Sequence, residues 1–178
     1  MEFVALDVET ANADSSSICE IGIARFVDGC LTEEWSTLVN PEDYFEPINV
    51  SIHGIDEYRV KDAPTWAGVY PDVVSRLANR VIVSHTAFDR TAILRACDRT
   101  HLAFCGCRWL DSARVARRAW AGFARSGYGL SHVAEYLGIH YRAHDAGEDA
   151  QCAGEVLLRA IADTGLTLEQ WLTRVSAS

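Results

Sequence analysis

The chain has 178 residues, 49% of them hydrophobic and 23% charged, with a formal net charge of −9. That length and balance suit one globular domain with a real core, so residues 1–178 are read as a single domain. They exclude a membrane span, for which no apolar run is long enough. They also argue against a coat for long duplex DNA, which would normally be basic.

The N-terminus lacks the basic region and apolar core of an export signal, so a cytoplasmic location is expected. The six cysteines (Cys19, Cys30, Cys97, Cys105, Cys107 and Cys152) form no CxxC pair and no zinc spacing with histidine. They are read as small buried hydrophobes in a reducing compartment, Cys105-Gly-Cys107 included. The charge is uneven: residues 1–62 carry 14 acids against 3 Lys/Arg, and the remainder 11 against 13.

In chain order, Phe3-Val4-Ala5-Leu6-Asp7-Val8-Glu9-Thr10 reads as a strand. Phe3, Ala5, Asp7 and Glu9 share one face, and Val4, Leu6 and Val8 share the other. Apolar residues on both faces argue for a central, doubly covered strand. Residues 11–17 form a loop, and 18–27 and 31–39 two further strands joined at Asp28-Gly29, a strong hairpin signal. The start is therefore an antiparallel meander.

Residues 40–64 read as a long polar connection containing Ile52-His53-Gly54-Ile55. Helical spacing returns over 66–77, and Val81-Ile82-Val83 suits a buried parallel strand. A helix over 88–100, a short strand at 108–110, and helices over 114–120, 130–137, 148–162 and 168–175 complete the chain. The pattern predicts an α/β domain with a mixed sheet, three antiparallel strands followed by parallel ones, flanked by helices.

Two carboxylates side by side at the end of a half-buried strand are costly unless something positive sits on them. Asp89 stands above Ile93 and Cys97 at helical spacing, and Asp149 above Ala153, Val156 and Ala160. Each is expected near a helix N-terminus, facing the sheet, where the dipole adds only ~0.3–1 kcal/mol. Singly, each fits an ordinary first-turn acid. Gathered within ~6 Å, however, each pair of the four would repel by roughly 3 kcal/mol at an effective dielectric of 20. Two divalent cations would neutralise them, and oxygen donors without thiolate select magnesium or manganese. Such a metal pair activates water and stabilises a leaving oxygen in phosphodiester cleavage. His144 precedes Asp149 by five residues, so from a loop before the helix it can face the same centre as a base. A capping or surface histidine is the plainer alternative.

Asp7-Val8-Glu9-Thr10, Phe88-Asp89 and the stretch from His144 to Asp149 together resemble the three motifs of the DEDD-type exonucleases, histidine subclass. That group includes the epsilon proofreading subunits, ribonuclease T and exonuclease X. Ile52-His53-Gly54-Ile55 is similar to a segment of its epsilon-like members. The resemblance implies a ribonuclease H-like fold, two bound Mg²⁺ or Mn²⁺ ions, and stepwise 3′→5′ release of nucleoside 5′-monophosphates. It implies Asp7, Glu9, Asp89 and Asp149 as metal ligands and His144 as general base. Thr10 would help seat the terminal nucleotide, and Phe88 would border its pocket or simply pack.

In the second motif, Ser84-His85 stands where the family often has His-Asn. His85 and His53 are thus candidate substrate contacts, with a satisfied buried histidine the favoured reading for His85. The expected partners are single-stranded DNA or RNA 3′ ends, with DNA favoured. The expected state is a monomer or homodimer, with polymerase association a further expectation. An RNA-trimming enzyme and a non-catalytic polymerase-associated module are the alternatives. The arginines between 108 and 125, interleaved with Trp109 and Trp120, suit either a single strand or a solvated face, and the solvated face is favoured.

Overall fold

The computed structural model describes residues 1–104 and 106–176. Five strands, β1 (Glu2–Thr10), β2 (Ile18–Val27), β3 (Cys30–Leu38), β4 (Val81–Ser84) and β5 (Arg108–Asp111), form one sheet in the order β3-β2-β1-β4-β5. The first three are antiparallel, whereas β4 runs parallel to β1 and β5 parallel to β4. Asp28 and Gly29 join β2 to β3 with φ of 50° and 83°. Two left-handed residues in a row are what a tight hairpin turn needs to match the twist of its strands. The mixed α/β sheet expected from the sequence is present.

The alternation along β1 separates two cores. Phe3 and Ala5 pack with Ala24 and Phe26 on one face, and Val4, Leu6 and Val8 pack with Ile21 and Ile23 on the other. Burying each large apolar side chain stabilises by about 1.5–3 kcal/mol. A one-residue slip would exchange the two sets, so the register that points Asp7 and Glu9 to a single face is strongly fixed.

Helices α1 (Pro47–His53), α2 (Glu57–Val60), α3 (Trp66–Leu77), α4 (Phe88–Arg99), α5 (Ser112–Ala119), α6 (Leu130–Leu137), α7 (Ala146–Thr164) and α8 (Leu168–Ser176) surround the sheet. Helices α3 and α4 cover the Val4–Leu6–Val8 face, whereas α5 to α8 cover the face of Phe3 and Ala5. Helix α7 lies so close to β2 that a Cβ on Gly154 would come within 2.3 Å of the Phe26 ring.

Helices α1 and α2 lie in the segment read from sequence as a connection. Helix α1 buries none of its side chains, so it leaves no apolar periodicity to detect. Polar bonds tie it down instead: Asn49 Nδ2 donates to the Thr10 carbonyl at 2.9 Å, and His53 Nε2 lies 3.2 Å from the same oxygen.

Among the arginines between 108 and 125, Arg108 makes two bonds to Glu169 at 2.6 and 2.8 Å, and Arg117 lies 4.7 Å above the Tyr128 ring. Those two thus have intramolecular partners, in keeping with a structural surface. Cys19, Cys97 and Cys152 are buried as expected, whereas Cys30 at the β2–β3 turn is exposed and Cys107 is half-buried. Burial pushes the Cys152 thiol up to about 12, so it stays protonated and packs as a small apolar group. Cys105, half of the Cys105-Gly-Cys107 pair, lies outside the described residues. Among the described residues no helix is long and apolar enough to cross a membrane.

Candidate active site

The pairing of β1 with β4 is short, with Val4 opposite Ile82 and Ala5 opposite Val83. Beyond those pairs, the β4 side of β1 has backbone groups that need other partners. Asp89, the second residue of α4, supplies one: its Oδ1 accepts the Val8 N–H at 3.1 Å. The carboxylate is only 2% exposed and is thereby fixed against the end of β1, between Asp7 and Glu9 in sequence.

Asp149, in the first turn of α7, is 7% exposed and its Oδ2 accepts the His144 N–H at 2.7 Å. One side-chain atom from each of Glu9, His144 and Asp149 can be chosen so that all three lie within 4.8 Å of one another. Asp7 completes the group, since after burial the largest influences on its carboxyl are Asp89, Asp149, Glu9 and Glu20. The structure therefore brings together all five residues singled out from the sequence as ligands or base.

The cluster is electrostatically uncomfortable. Burial first, then neighbouring acids, push Glu9 up to about 8. Burial likewise raises Asp89 to about 7, although the Val8 N–H opposes it. Asp7 and Asp149 are also raised, chiefly by burial. Carboxylate oxygens with one imidazole and no thiolate fit hard divalent cations, which would relieve this strain.

The sign of the pH effect follows. Carboxyls whose folded pKa is raised hold extra protons in the folded state, so their contribution is intact below the unfolded pKa and lost as pH rises through the folded one. Metal-free protein should therefore melt at progressively lower temperature from about pH 4.5 to pH 8, and saturating Mg²⁺ should flatten that fall. Calorimetry across that range, with and without metal, checks it; a melting temperature that rises with pH in EDTA contradicts it.

The loop before α7 is tied to the helix it precedes. The Arg142 N–H donates to Glu148 Oε2 at 2.6 Å and its guanidinium pairs with Asp145. Asp145 caps the helix by accepting from the Glu148 N–H at 3.2 Å. His144 sits at φ 65°, an uncommon value outside glycine, with its side chain exposed. The Tyr141 hydroxyl lies 3.1 Å from Ser131 Oγ and also hydrogen-bonds toward Asp149, lowering that carboxyl against the effect of burial.

The residues singled out as substrate contacts take different positions. His53 Nδ1 accepts the Ile55 N–H at 3.0 Å, which leaves Nε2 to donate to the Thr10 carbonyl; the tautomer is assigned from those bonds. His53 also lines a cavity of about 230 Å³ with Glu20, Arg59, Arg142 and His144. Thr10 is buried, and Phe88 is 46% exposed at the start of α4.

His85 is enclosed, with Nδ1 2.8 Å from Ser112 Oγ and Nε2 2.7 Å from the Tyr128 carbonyl. Burial lowers its pKa, so it is neutral, and both nitrogens are engaged within the protein. Next to it Thr86 is held at φ 87°, an outlying value for a β-branched residue, with its N–H on Asp111 Oδ1 at 3.2 Å. That strained turn aims Phe88 outward and Asp89 inward.

Sequence reasoning passed over Glu20, Asn49, Tyr141 and Arg142. For Glu20 the signal was present, the one acid inside the mostly apolar run Ile18–Val27. The other three act through contacts that no local pattern encodes.

A family model for RNase T-type exonucleases matches residues 4–157. A PolC-type DNA polymerase III from Thermotoga petrophila is 29% identical over 166 residues, 89% of this chain, but the match spans only about 12% of that polymerase. Exodeoxyribonuclease 10 of Escherichia coli is 28% identical over 170 residues, 93% of this chain and 71% of its own length. An exonuclease X solved with 5′ overhanging duplex DNA has the same fold, with a TM-score of 0.79 at 24% identity over 97% of this chain and 99% of that one. The nuclease domain of 3′hExo, described as a DEDDh member and bound to rAMP, reaches 0.74 at 18% identity over 92% of both chains. These neighbours make the sheet and its helices a ribonuclease H-like exonuclease fold. With the family match running from β1 well into α7, the chain belongs to the RNase T exonuclease family.

Proposed function

We propose that this chain is a metal-dependent 3′→5′ exonuclease that hydrolyses single-stranded 3′ ends and releases nucleoside 5′-monophosphates, DNA being the favoured substrate. Residues 1–178 act as one exonuclease domain in this reading. The observation that carries it is the gathering of Asp7, Glu9, Asp89 and Asp149 with His144 at the end of β1.

The four carboxylates would hold two Mg²⁺ or Mn²⁺ ions, a reading that their raised pKa values in the absence of metal support. When bound, such ions supply an acidified water and charge stabilisation for the leaving oxygen. A ring nitrogen of His144 accepts the proton of the attacking water, and its backbone bond to Asp149 holds the loop where that transfer is possible. The scissile P–O3′ bond breaks, and the shortened strand keeps its 3′ oxygen.

Thr10 seats the terminal nucleotide, with its carbonyl fixed by Asn49 and His53. Exposed Phe88 stacks on a base, a contact typically worth ~1–3 kcal/mol. His53 and His85 serve this site from behind, His53 by holding Thr10 and His85 by holding the turn before Phe88. The chain works as a monomer or homodimer, and likeness to polymerase III proteins supports association with a polymerase. RNA is the second reading, favoured by the rAMP bound to one neighbour of the same fold.

Single-stranded DNA and RNA of matched sequence, each 5′-labelled, test this side by side in Mg²⁺. The expected result is a ladder shortening from the 3′ end, faster on DNA, with 5′-mononucleotides as product. Internal cleavage, or intact strands, would contradict the nuclease reading. Faster loss of RNA would reverse the substrate assignment alone, because that choice depends on contacts to the 2′-hydroxyl.

A further inference from the structure

Glu20 is a fifth acid at this centre, and none of the steps above uses it. It lies on β2 directly opposite Glu9 in the antiparallel register, while Gly22 lies opposite Asp7. The first amides of a helix have no partner within the helix. In α7, Asp145 takes the N–H of Glu148 with its side chain and that of Asp149 with its carbonyl. The Ala146 N–H instead donates to Glu20 Oε2 at 3.1 Å, across 126 positions of sequence.

Two residues further along β2 the contact is steric. A Cβ on Gly22 would lie 2.1 Å from the carbonyl carbon and oxygen of Ala146 and 2.4 Å from the Gly147 nitrogen. The start of α7 thus rests on β2, held by one hydrogen bond and a missing side chain. Ala146 sits between His144 and Asp149, so whatever fixes its height above the sheet also fixes theirs relative to Asp7 and Glu9.

We propose that Glu20 is a positioning residue, which anchors the start of α7 to β2 and thereby sets His144 and Asp149 against the acids of β1. It is not a metal ligand. The catalytic consequence rests on the nuclease reading above, whereas the anchoring does not.

Glu20→Gln keeps an oxygen that can accept the Ala146 N–H, and Glu20→Ala does not. On single-stranded DNA, Glu20→Ala should lower kcat about 10–100-fold, the usual size of such outer-partner effects, with KM within about twofold. Glu20→Gln should stay within about threefold of wild type in kcat and keep its Mn²⁺ affinity, whereas Glu20→Ala, by loosening Asp149, should also weaken Mn²⁺ binding, by up to about 10–100-fold. In metal-free protein, NMR hydrogen exchange should show loss of Ala146 protection in Glu20→Ala and its retention in Glu20→Gln.

If Glu20→Gln is as slow as Glu20→Ala and binds Mn²⁺ more weakly, Glu20 acts through its charge as a ligand and the proposal is wrong. It is equally wrong if Ala146 keeps its protection in Glu20→Ala. Should wild-type protein cleave nothing, the nuclease reading fails by itself, and the exchange data still judge the anchor. Gly22→Ala attacks the same contact from the steric side and should likewise lower kcat; unchanged kcat would contradict the link between this contact and the site.

Discussion

Asp7→Asn should abolish hydrolysis and at the same time raise the melting temperature of the metal-free protein at pH 8. The two effects have one origin. Asp7 is buried beside Asp89, Asp149 and Glu9, all pushing its carboxyl toward the neutral form. Asparagine keeps the shape and removes one repelling charge, so the fold gains while metal binding is lost. A gain of 1 kcal/mol would appear as about 2–4 °C in a chain of this size. Most substitutions at buried sites destabilise, which makes the direction diagnostic. Paired activity and calorimetric measurements in EDTA and in Mg²⁺ check both halves. An Asp7→Asn protein that melts lower in EDTA, or that still cleaves, counts against the acidic cluster as a metal site.

Removing the imidazole of His144 should lower turnover about 10²–10⁴-fold, the span attributed to a positioned general base. The residue sits at φ 65°, so His144→Ala adds backbone strain to the loss of the ring. His144→Asn separates the two, because asparagine tolerates the left-handed region. Both variants should show the same loss of kcat, with Mn²⁺ affinity close to wild type. The latter matters because His144 also lies close enough to Glu9 and Asp149 to coordinate a metal itself. A large fall in Mn²⁺ affinity would make it a ligand rather than the base. Near-normal kcat in His144→Asn would remove it from proton transfer altogether.

The main elements and the facing of each acid were legible in the sequence because they depend on periodicity, whereas the gathering of the acids was implied by the resemblance of the three motifs. Alternation along 3–10 located the faces of β1, and the helical stripes under Asp89 and Asp149 placed both acids at helix starts, where the structure has them. The Asp28-Gly29 signal gave the hairpin. Helix α1 was hidden for the opposite reason: with no buried side chain it carries no stripe, and it is held by Asn49 and His53 through one carbonyl.

The supports of the site were equally invisible. Glu20 meets Ala146 across 126 positions, and Arg142 clasps Asp145 and Glu148 on a loop without regular structure. The first bond follows from tertiary approach, and the second from a loop conformation that no periodic spacing marks. His85 was open to two readings, a contact or a satisfied buried histidine, and its surroundings take up both nitrogens, in keeping with the second, favoured one.

The proposed chemistry requires divalent metal among Asp7, Glu9, Asp89 and Asp149. A crystal grown with Mn²⁺ and a nucleoside 5′-monophosphate, with data collected at the manganese edge, tests it most directly. Two anomalous peaks bounded by those carboxylates, with the monophosphate beside Thr10 and Phe88, are the predicted result. Manganese found only elsewhere on the protein, with the four acids unliganded, would contradict it.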